Sequence, residues 1–233
     1  MKKDISIIIS CFNHSKYLNE CLYSIFNNKI NEKFYDVIFI DDASTDNSLE
    51  IAEKFKKNKN FFILKNKKNI GLVKSCNKAI KFSNSKFIIR IDSDDYVSKN
   101  FIKRFHDEIK RNKYDFIYCD RIEFFVRTKK RIKVIINHFD LFKMISCGVA
   151  LRGKIIRNIG YYKNLKWEEY DLYIRYFKKT KKIKRIKNIL YYYRKHSSNM
   201  TKKNEWKKQA WSQLIKKHGK EIIKKYEDSC NWR

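Results

Sequence analysis

The first hundred residues switch repeatedly between two periodicities. Residues 5–10 are a short apolar run that suits a strand covered on both faces. Ser15 then caps a predicted helix over 15–26, with Tyr17, Leu18, Cys21, Leu22 and Ile25 on one stripe. A second strand is predicted at 37–40, running into Asp41 and Asp42. Asp46 opens a second helix that turns Leu49, Ile51, Ala52 and Phe55 inward. Strand 61–64, helix 72–82 and strand 87–91 continue the alternation. Strand and helix at this spacing predict right-handed βαβ units and an α/β fold, a Rossmann-like, mainly parallel sheet flanked by helices.

Beyond Asp95 the pattern loosens. Helical spacing returns at 101–110, and strands are expected at 115–119 and 131–136, the second a candidate for antiparallel pairing. A helix fits 170–177 and an aromatic strand fits 189–193. From Glu205 onward Trp206, Ala210, Leu214 and Ile222 recur at helical spacing, joined by Trp211, Ile215, Ile223 and Tyr226. Lys207, Lys208, Lys216, Lys217, Lys220, Lys224 and Lys225 fill the other face. Such a tail reads as one basic amphipathic helix, with a weakly marked junction near residue 203. Two placements stand side by side: an interfacial helix on an anionic membrane, or a helix docked on the body with solvated lysines.

Charge changes this picture more than length does. Lys and Arg number 55 against 25 Asp and Glu, a formal net charge of +30. That field favours polyanions: nucleic acid, an anionic leaflet or phosphate-bearing substrates. It equally suits a compositionally biased genome, since the chain has no Pro at all. With 43% hydrophobic and 15% aromatic residues the chain can build a core and does not read as disordered. The six cysteines (Cys11, Cys21, Cys76, Cys119, Cys147 and Cys230) form no CxxC pair, which suits small buried hydrophobes in a reducing compartment. The apolar run after Lys3 is short for a signal peptide, and no window reaches the length of a bilayer span. A cytoplasmic protein, soluble or peripheral on the inner face of the membrane, is expected.

In an open α/β sheet, ligands bind beyond the carboxyl ends of the strands. Three strand ends here are polar: Ser10 with Asn13, Asp41-Asp42, and Asp92-Ser93-Asp94-Asp95. The turn after the first strand holds no Gly, and no GxxxxGK[ST] loop exists, which argues against dinucleotide and P-loop chemistry. Three carboxylates within four residues repel unless a cation or a proton relieves them. Mg²⁺ or Mn²⁺ commonly binds through one or two carboxylates and completes its shell with substrate phosphate. An acidic turn capping the next helix is the plainer alternative.

Taken together, 5–13 (Ile-Ser-Ile-Ile-Ile-Ser-Cys-Phe-Asn), 37–46 (Val-Ile-Phe-Ile-Asp-Asp-Ala-Ser-Thr-Asp) and 91–95 (Ile-Asp-Ser-Asp-Asp) resemble the successive motifs of the family 2 glycosyltransferases. The match continues through Asn69-Ile70-Gly71 and Asn77-Lys78-Ala79-Ile80 and covers about the first hundred residues. The resemblance implies a GT-A fold over 1–203, with a nucleotide-binding half at 1–98 and an acceptor half at 99–203. The basic helix at 204–233 follows it.

The same resemblance implies roles. Ser10 and Asp42 would contact the nucleoside, Asp92 the ribose or a nearby donor group, and Asp94 the metal. Lys74 lies where a basic residue could approach the diphosphate. Glu168-Glu169-Tyr170-Asp171 resembles the family's helix-opening acidic motif, with Glu169 where the catalytic aspartate is expected and Asp171 as reserve base. Arg194 and His196 fall in a segment that approaches the diphosphate and the metal. Tyr161, Tyr162 and Trp167 are candidates for a sugar-stacking wall, and Gly148 for close approach of an acceptor. The implied enzyme inverts the anomeric centre and uses a nucleotide-sugar donor, a UDP-sugar first. Its acceptor would be a hydroxyl of a glycan or lipid-linked chain in surface polysaccharide or lipooligosaccharide synthesis. The alternatives are a non-catalytic sugar-nucleotide-binding domain and a basic nucleic-acid-binding protein. The latter is disfavoured because no RNP, KH or zinc-finger pattern occurs and the carboxylate cluster would repel a phosphate backbone.

Overall fold

The computed structural model describes residues 2–137, 140–197, 199 and 204–228. The first half runs β1 (Ile5–Cys11), α1 (Ser15–Phe26), β2 (Tyr35–Asp41), α2 (Ser48–Glu53), β3 (Phe61–Lys65), α3 (Leu72–Phe82) and β4 (Phe87–Arg90). There follow β5 (Tyr96–Val97), α4 (Phe101–Lys110), β6 (Phe116–Phe125), β7 (Arg131–Val134), β8 (Val149–Arg152) and α5 (Gly153–Asn158). The chain then continues as α6 (Glu168–Phe177), β9 (Ile183–Lys195), α7 (Asn204–His218) and α8 (Lys220–Asp228).

Nine strands among the described residues form one sheet in the order β3-β2-β1-β4-β8-β6-β9-β5, with β7 paired to the later part of β6. The strands β3-β2-β1-β4 are parallel, as the alternation predicts. Beyond β4 the sheet turns mixed: β8 is antiparallel to both β4 and β6, while β6 and β9 are parallel. Every strand of the parallel half is apolar on both faces because helices cover both. Ile5, Ile7, Ile9, Val37, Phe39, Phe87 and Ile89 pack with α1 and α4. Ile8, Ile38, Ile40 and Ile88 pack on the other side with α3, α6, α7 and α8. The order reverses between β1 and β4, which is the switch point where a ligand crevice is expected.

Several boundaries differ from the pattern for physical reasons. Ser15 is the first residue of α1 rather than its cap. Asp46 does the capping: its Oδ2 accepts from Ser15 N and its Oδ1 from Ser48 N, so α2 starts two residues later than expected. The elements β5, β8 and α5, short and joined to distant partners, left no periodic trace.

The tail is not a single helix. Gly219, at φ +87°, breaks it into α7 and α8. Its apolar side is also already used. Ala210, Leu214 and Ile223 are buried, and Trp211, Ile215 and Ile222 pack against the core around Phe142 and Tyr170. That is the docked placement, and Lys207, Lys208, Lys216, Lys217, Lys220 and Lys224 remain at the surface. The expected junction at 203, Cys230, and the side chains of Lys225 and Tyr226 lie outside the described residues.

An ion cluster fastens the tail. Asp171, fully buried on α6, accepts from Arg175 Nη2 at 2.7 Å, from Lys217 Nζ at 2.7 Å and from His218 Nε2 at 2.9 Å. Burial alone raises its pKa, but the bonds to Arg175 and Lys217 outweigh it and hold the carboxyl below the usual range. The stabilisation is therefore complete above about pH 4, the ordinary aspartate value, and is lost as pH falls through the lower folded value. Asp171→Asn is expected to cost roughly 2 kcal/mol at pH 7, since a fully buried carboxylate loses its charge-assisted bonds to Arg175 and Lys217, which water reaches. Denaturant titrations should show the gap to wild type narrowing below pH 4. A gap that persists undiminished in acid would show that the ion cluster is not its source.

Candidate active site

Two loops at the ends of β1 and β2 are laced together before any ligand arrives. Asn13 and Ala43 both adopt left-handed backbone, at φ +57° and +62°. Such strain in non-glycine residues persists only where surrounding bonds hold it. Here Asn13 Oδ1 accepts from Thr45 N at 2.8 Å, Asn13 N donates to Ser44 Oγ, and His14 N donates to Ser48 Oγ. Of the paired acids, Asp42 points at its own fold. Its carboxylate accepts from Asn66 Nδ2, Ile70 N and Gly71 N at 2.8–2.9 Å. Asp41, by contrast, keeps one buried oxygen, Oδ1, without a hydrogen-bond partner among the described residues. An orphaned buried acceptor is costly unless a ligand donor meets it.

The acidic loop after β4 lies against this pair of loops. Ser93 Oγ donates to Ser10 O at 3.1 Å and lies 2.7 Å from His14 Nδ1. The Ser10 carbonyl is thus a fixed point of the site. Asp94 meets His196 directly, with 2.8 Å between Oδ2 and Nε2. Burial raises the Asp94 pKa, yet the bond from His196 and the nearby imidazoles of His14 and His196 outweigh it and hold the carboxyl low. Asp95 goes the other way. Burial, then the charges of Asp94 and Asp92, push it well up, and its oxygens accept from the Tyr191 hydroxyl and Arg194 N.

These neighbours decide where a divalent cation fits. Oxygen atoms of Asp92 and Asp95 and the thiol of Cys147 lie within 4.8 Å of one another. That trio suits Mg²⁺ or Mn²⁺ poorly: Asp95 is committed to Tyr191 and Arg194, burial holds the Cys147 thiol protonated, and hard cations prefer oxygen. The adjoining Asp94–His196 pair offers an ionised carboxylate and an imidazole, and Nε2 would have to give up its contact with Asp94 to serve as a ligand.

Across the crevice, α6 brings its acids to the same place through one buried side chain. Arg90 Nε donates to Asp92 Oδ1 at 2.8 Å, and its Nη1 donates to Glu168 Oε1 at 2.8 Å and to Ser146 Oγ at 3.1 Å. Glu169 stands next to this bridge. Apart from its own amide, no donor among the described residues bonds its carboxylate, and it is half-open to solvent within dense surroundings. Desolvation, then repulsion from Glu168, raises its pKa well above the ordinary value. Two residues further on, Asp171 faces the C-terminal helices, which rules it out as reserve base.

Other expected site residues have different tasks. Arg194 is buried, not free for phosphate: its Nε donates to Asp94 O and its Nη2 to Glu20 Oε2, each at 2.7 Å, between the rings of Tyr17 and Tyr96. It positions the acidic loop. Lys74 is exposed on α3, lining a shallow groove with Asn77, Lys78 and Lys81. Trp167 packs edge-on against Tyr170, Trp206 and Trp211, and Tyr162 is buried in the core, so neither forms an open sugar platform. Gly148 meets Tyr191 and Cys119 rather than an acceptor; a Cβ there would lie 3.3 Å from Tyr191. From the sequence Arg90 and His14 carry no assignment, and Asp41 is marked only as part of a polar strand end. The signal available for Arg90 was a lone charge inside an apolar strand, which must find a buried partner.

The sequence profile described as "Glycosyl transferase family 2" matches residues 6–215. A poly(ribitol-phosphate) beta-glucosyltransferase of Bacillus spizizenii is 34% identical over 113 residues, 48% of this chain and 18% of that protein. A cholesterol galactosyltransferase of Borreliella burgdorferi is 31% identical over 116 residues, 50% of this chain and 32% of the other. The chain thus spans a third or less of the length of these relatives. Among solved structures, Staphylococcus aureus TarS in complex with UDP-GlcNAc superimposes with a TM-score of 0.79 at 21% identity, covering 99% of this chain and 73% of that one. A Pyrobaculum calidifontis mannosyltransferase in complex with GDP-Man and Mn²⁺ gives 0.68 at 9% identity, covering 93% and 65%. The fold is that of these GT-A proteins, and the chain belongs to glycosyl transferase family 2.

Proposed function

We propose that this chain is an inverting, metal-dependent glycosyltransferase that moves a sugar from a nucleotide donor, a UDP-sugar first, to a hydroxyl of a glycan or lipid-linked acceptor in surface polysaccharide synthesis. The observation that carries the reading is the Asp92–Arg90–Glu168 bridge. It ties the acidic loop to the start of α6, and so supports a role for the partly exposed carboxylate of the next residue, Glu169. Family membership, the UDP-GlcNAc named for one structural neighbour and the polysaccharide enzymes among the relatives support the same reading.

The nucleoside lies across the ends of β1 and β2, where Asp41 Oδ1, rather than the satisfied Asp42, is the acceptor left for a base N–H. The ribose lies toward Asp92. Asp94 and His196 would hold a divalent cation, whose chemistry there would be to offset charge on the diphosphate. Glu169 accepts the proton of the acceptor hydroxyl as that oxygen bonds to the anomeric carbon. The bond from that carbon to the diphosphate breaks in the same step, so nucleoside diphosphate departs and the anomeric configuration inverts. A pKa raised by burial and by Glu168 makes Glu169 a stronger base than a free carboxylate. Among the described residues no helix is long and apolar enough to cross a membrane. Any membrane contact of α7 and α8 rests on their exposed lysines alone.

Glu169→Gln keeps size and polarity but cannot take a proton. It is expected to lower turnover by roughly 10²- to 10⁴-fold while donor affinity changes little. Steady-state kinetics and UDP titration read the two separately, and unchanged turnover would remove Glu169 from the role. For the cation, wild-type protein with UDP should gain melting temperature on adding Mn²⁺ or Mg²⁺ and lose that gain with a chelator. Asp94→Asn should abolish the metal-dependent part. A variant that still responds to the metal in full would move the site elsewhere.

A further inference from the structure

Between β6 and β7 the chain turns through Arg127-Thr128-Lys129-Lys130-Arg131-Ile132-Lys133, five cations without one acid, all exposed. The turn is ordered by pairing. Arg121 to Phe124 pair with Val134 to Arg131, and Phe125 N donates to Lys130 O at 2.9 Å. Lys129 holds the left-handed turn position at φ +57°, which glycine or asparagine fills more easily. Among the described residues no carboxylate pairs with Lys129, Lys130 or Lys133. Nearby Arg121 and Lys195, by contrast, share Glu123.

The position of this arm gives it meaning. Because β6 and β9 are parallel, Phe125 lies opposite Lys195, and Val126 N donates to Lys195 O at 2.9 Å. The next residue is His196, in contact with Asp94. The hairpin therefore leaves the sheet at the site's own end, and its register brings Lys130 opposite Phe125 and Lys129 across the turn from Val126, next to the Lys195 pairing. The tip, 127–130, offers no aromatic or aliphatic side chain to a lipid interior; Ile132 sits back on the strand.

We propose that this hairpin is an acceptor arm: it binds a linear, phosphate-bearing polymer and leads its reacting hydroxyl toward Glu169. The inference rests on the reading of the chain as a glycosyltransferase and names the class of its acceptor. A neutral sugar or sterol acceptor would gain nothing from this cluster of cations, three of them lysines that no carboxylate answers among the described residues, whereas a chain with a charge at each repeat meets several at once.

The test uses the full chain, inorganic polyphosphate as probe, and a Lys129→Gln, Lys130→Gln, Lys133→Gln triple variant. None of these side chains touches the core or the acidic loop. Wild type should bind polyphosphate with a steep salt dependence, and the variant at least about ten-fold more weakly with a shallower slope. Melting temperature and the shift produced by UDP with Mn²⁺ should be the same in both. Restoring charge with the triple Arg variant should restore binding. Equal affinity of wild type and the Gln variant overturns the proposal. So does a wild type that ignores polyphosphate but binds phosphatidylglycerol vesicles through these lysines, which would make the arm a membrane contact. Failure of any nucleotide sugar or UDP to bind would instead overturn the glycosyltransferase reading, and the polyphosphate arm would register that independently.

Discussion

A buried guanidinium cannot be left unanswered, and Arg90 makes that requirement the organising constraint of this molecule. It sits inside β4 with 7% of its surface exposed, facing the side covered by α3 and α6. Without hydrogen-bonded anions it would cost several kcal/mol. The chain supplies one anion two residues later, Asp92, where the strand ends, and a second, Glu168, from the start of α6. Satisfying one charge thus fixes the distance between the loop after β4 and the start of α6. The two elements that face each other across the crevice are thereby locked to a common point.

The consequence passes to Glu169. With Glu168 committed to Arg90, the next carboxylate is left close to a like charge in dense surroundings. Its raised pKa follows from that neighbour and from desolvation. A helix advances about 100° per residue, so residues two apart point to nearly opposite sides. Asp171 is turned toward Lys217 and His218 of α7. Glu169 is accordingly turned away from the tail, toward the crevice. One helical turn therefore carries three acids with three tasks: Glu168 bridges, Glu169 stays free and Asp171 anchors.

The parallel half of the fold was legible because its information is local. Alternating strand and helix periods place β1 to β4 within a few residues of their observed bounds, and Leu72–Phe82 and Phe101–Lys110 agree at both ends. The second half was not legible to the same degree. Tyr96–Val97 is two residues long and exists through its pairing with Tyr191 and Tyr192, so no periodicity could announce it. In the site, the acidic motif after β4 was legible as a cluster, and Asp94 with His196 do come together. Which of its carboxylates face a ligand was not. Asp42 and Arg194 are satisfied from within by donors and acceptors far along the chain, Gly71 and Glu20 among them. Chain position alone could not separate a residue that touches substrate from one that holds the loop that does.

The net charge of +30 looked like a single property in the sequence, but the fold divides it. Some cations are spent inside: Arg90 and Arg194 hold the two ends of the acidic loop, and Arg175 with Lys217 closes on Asp171. Others lie on α7 and α8, whose apolar side is committed to Phe142 and Tyr170, so that only long-range, salt-sensitive attraction is left to them. The β6–β7 turn differs from both, since it gathers unpaired cations where β9 delivers His196 to Asp94. Attraction scattered over a surface raises encounter with any polyanion, whereas attraction gathered at the mouth of a cleft selects what enters it. On the proposal made for the hairpin, the excess of lysine would bear on acceptor choice there, while on α7 and α8 it contributes only that unfocused attraction.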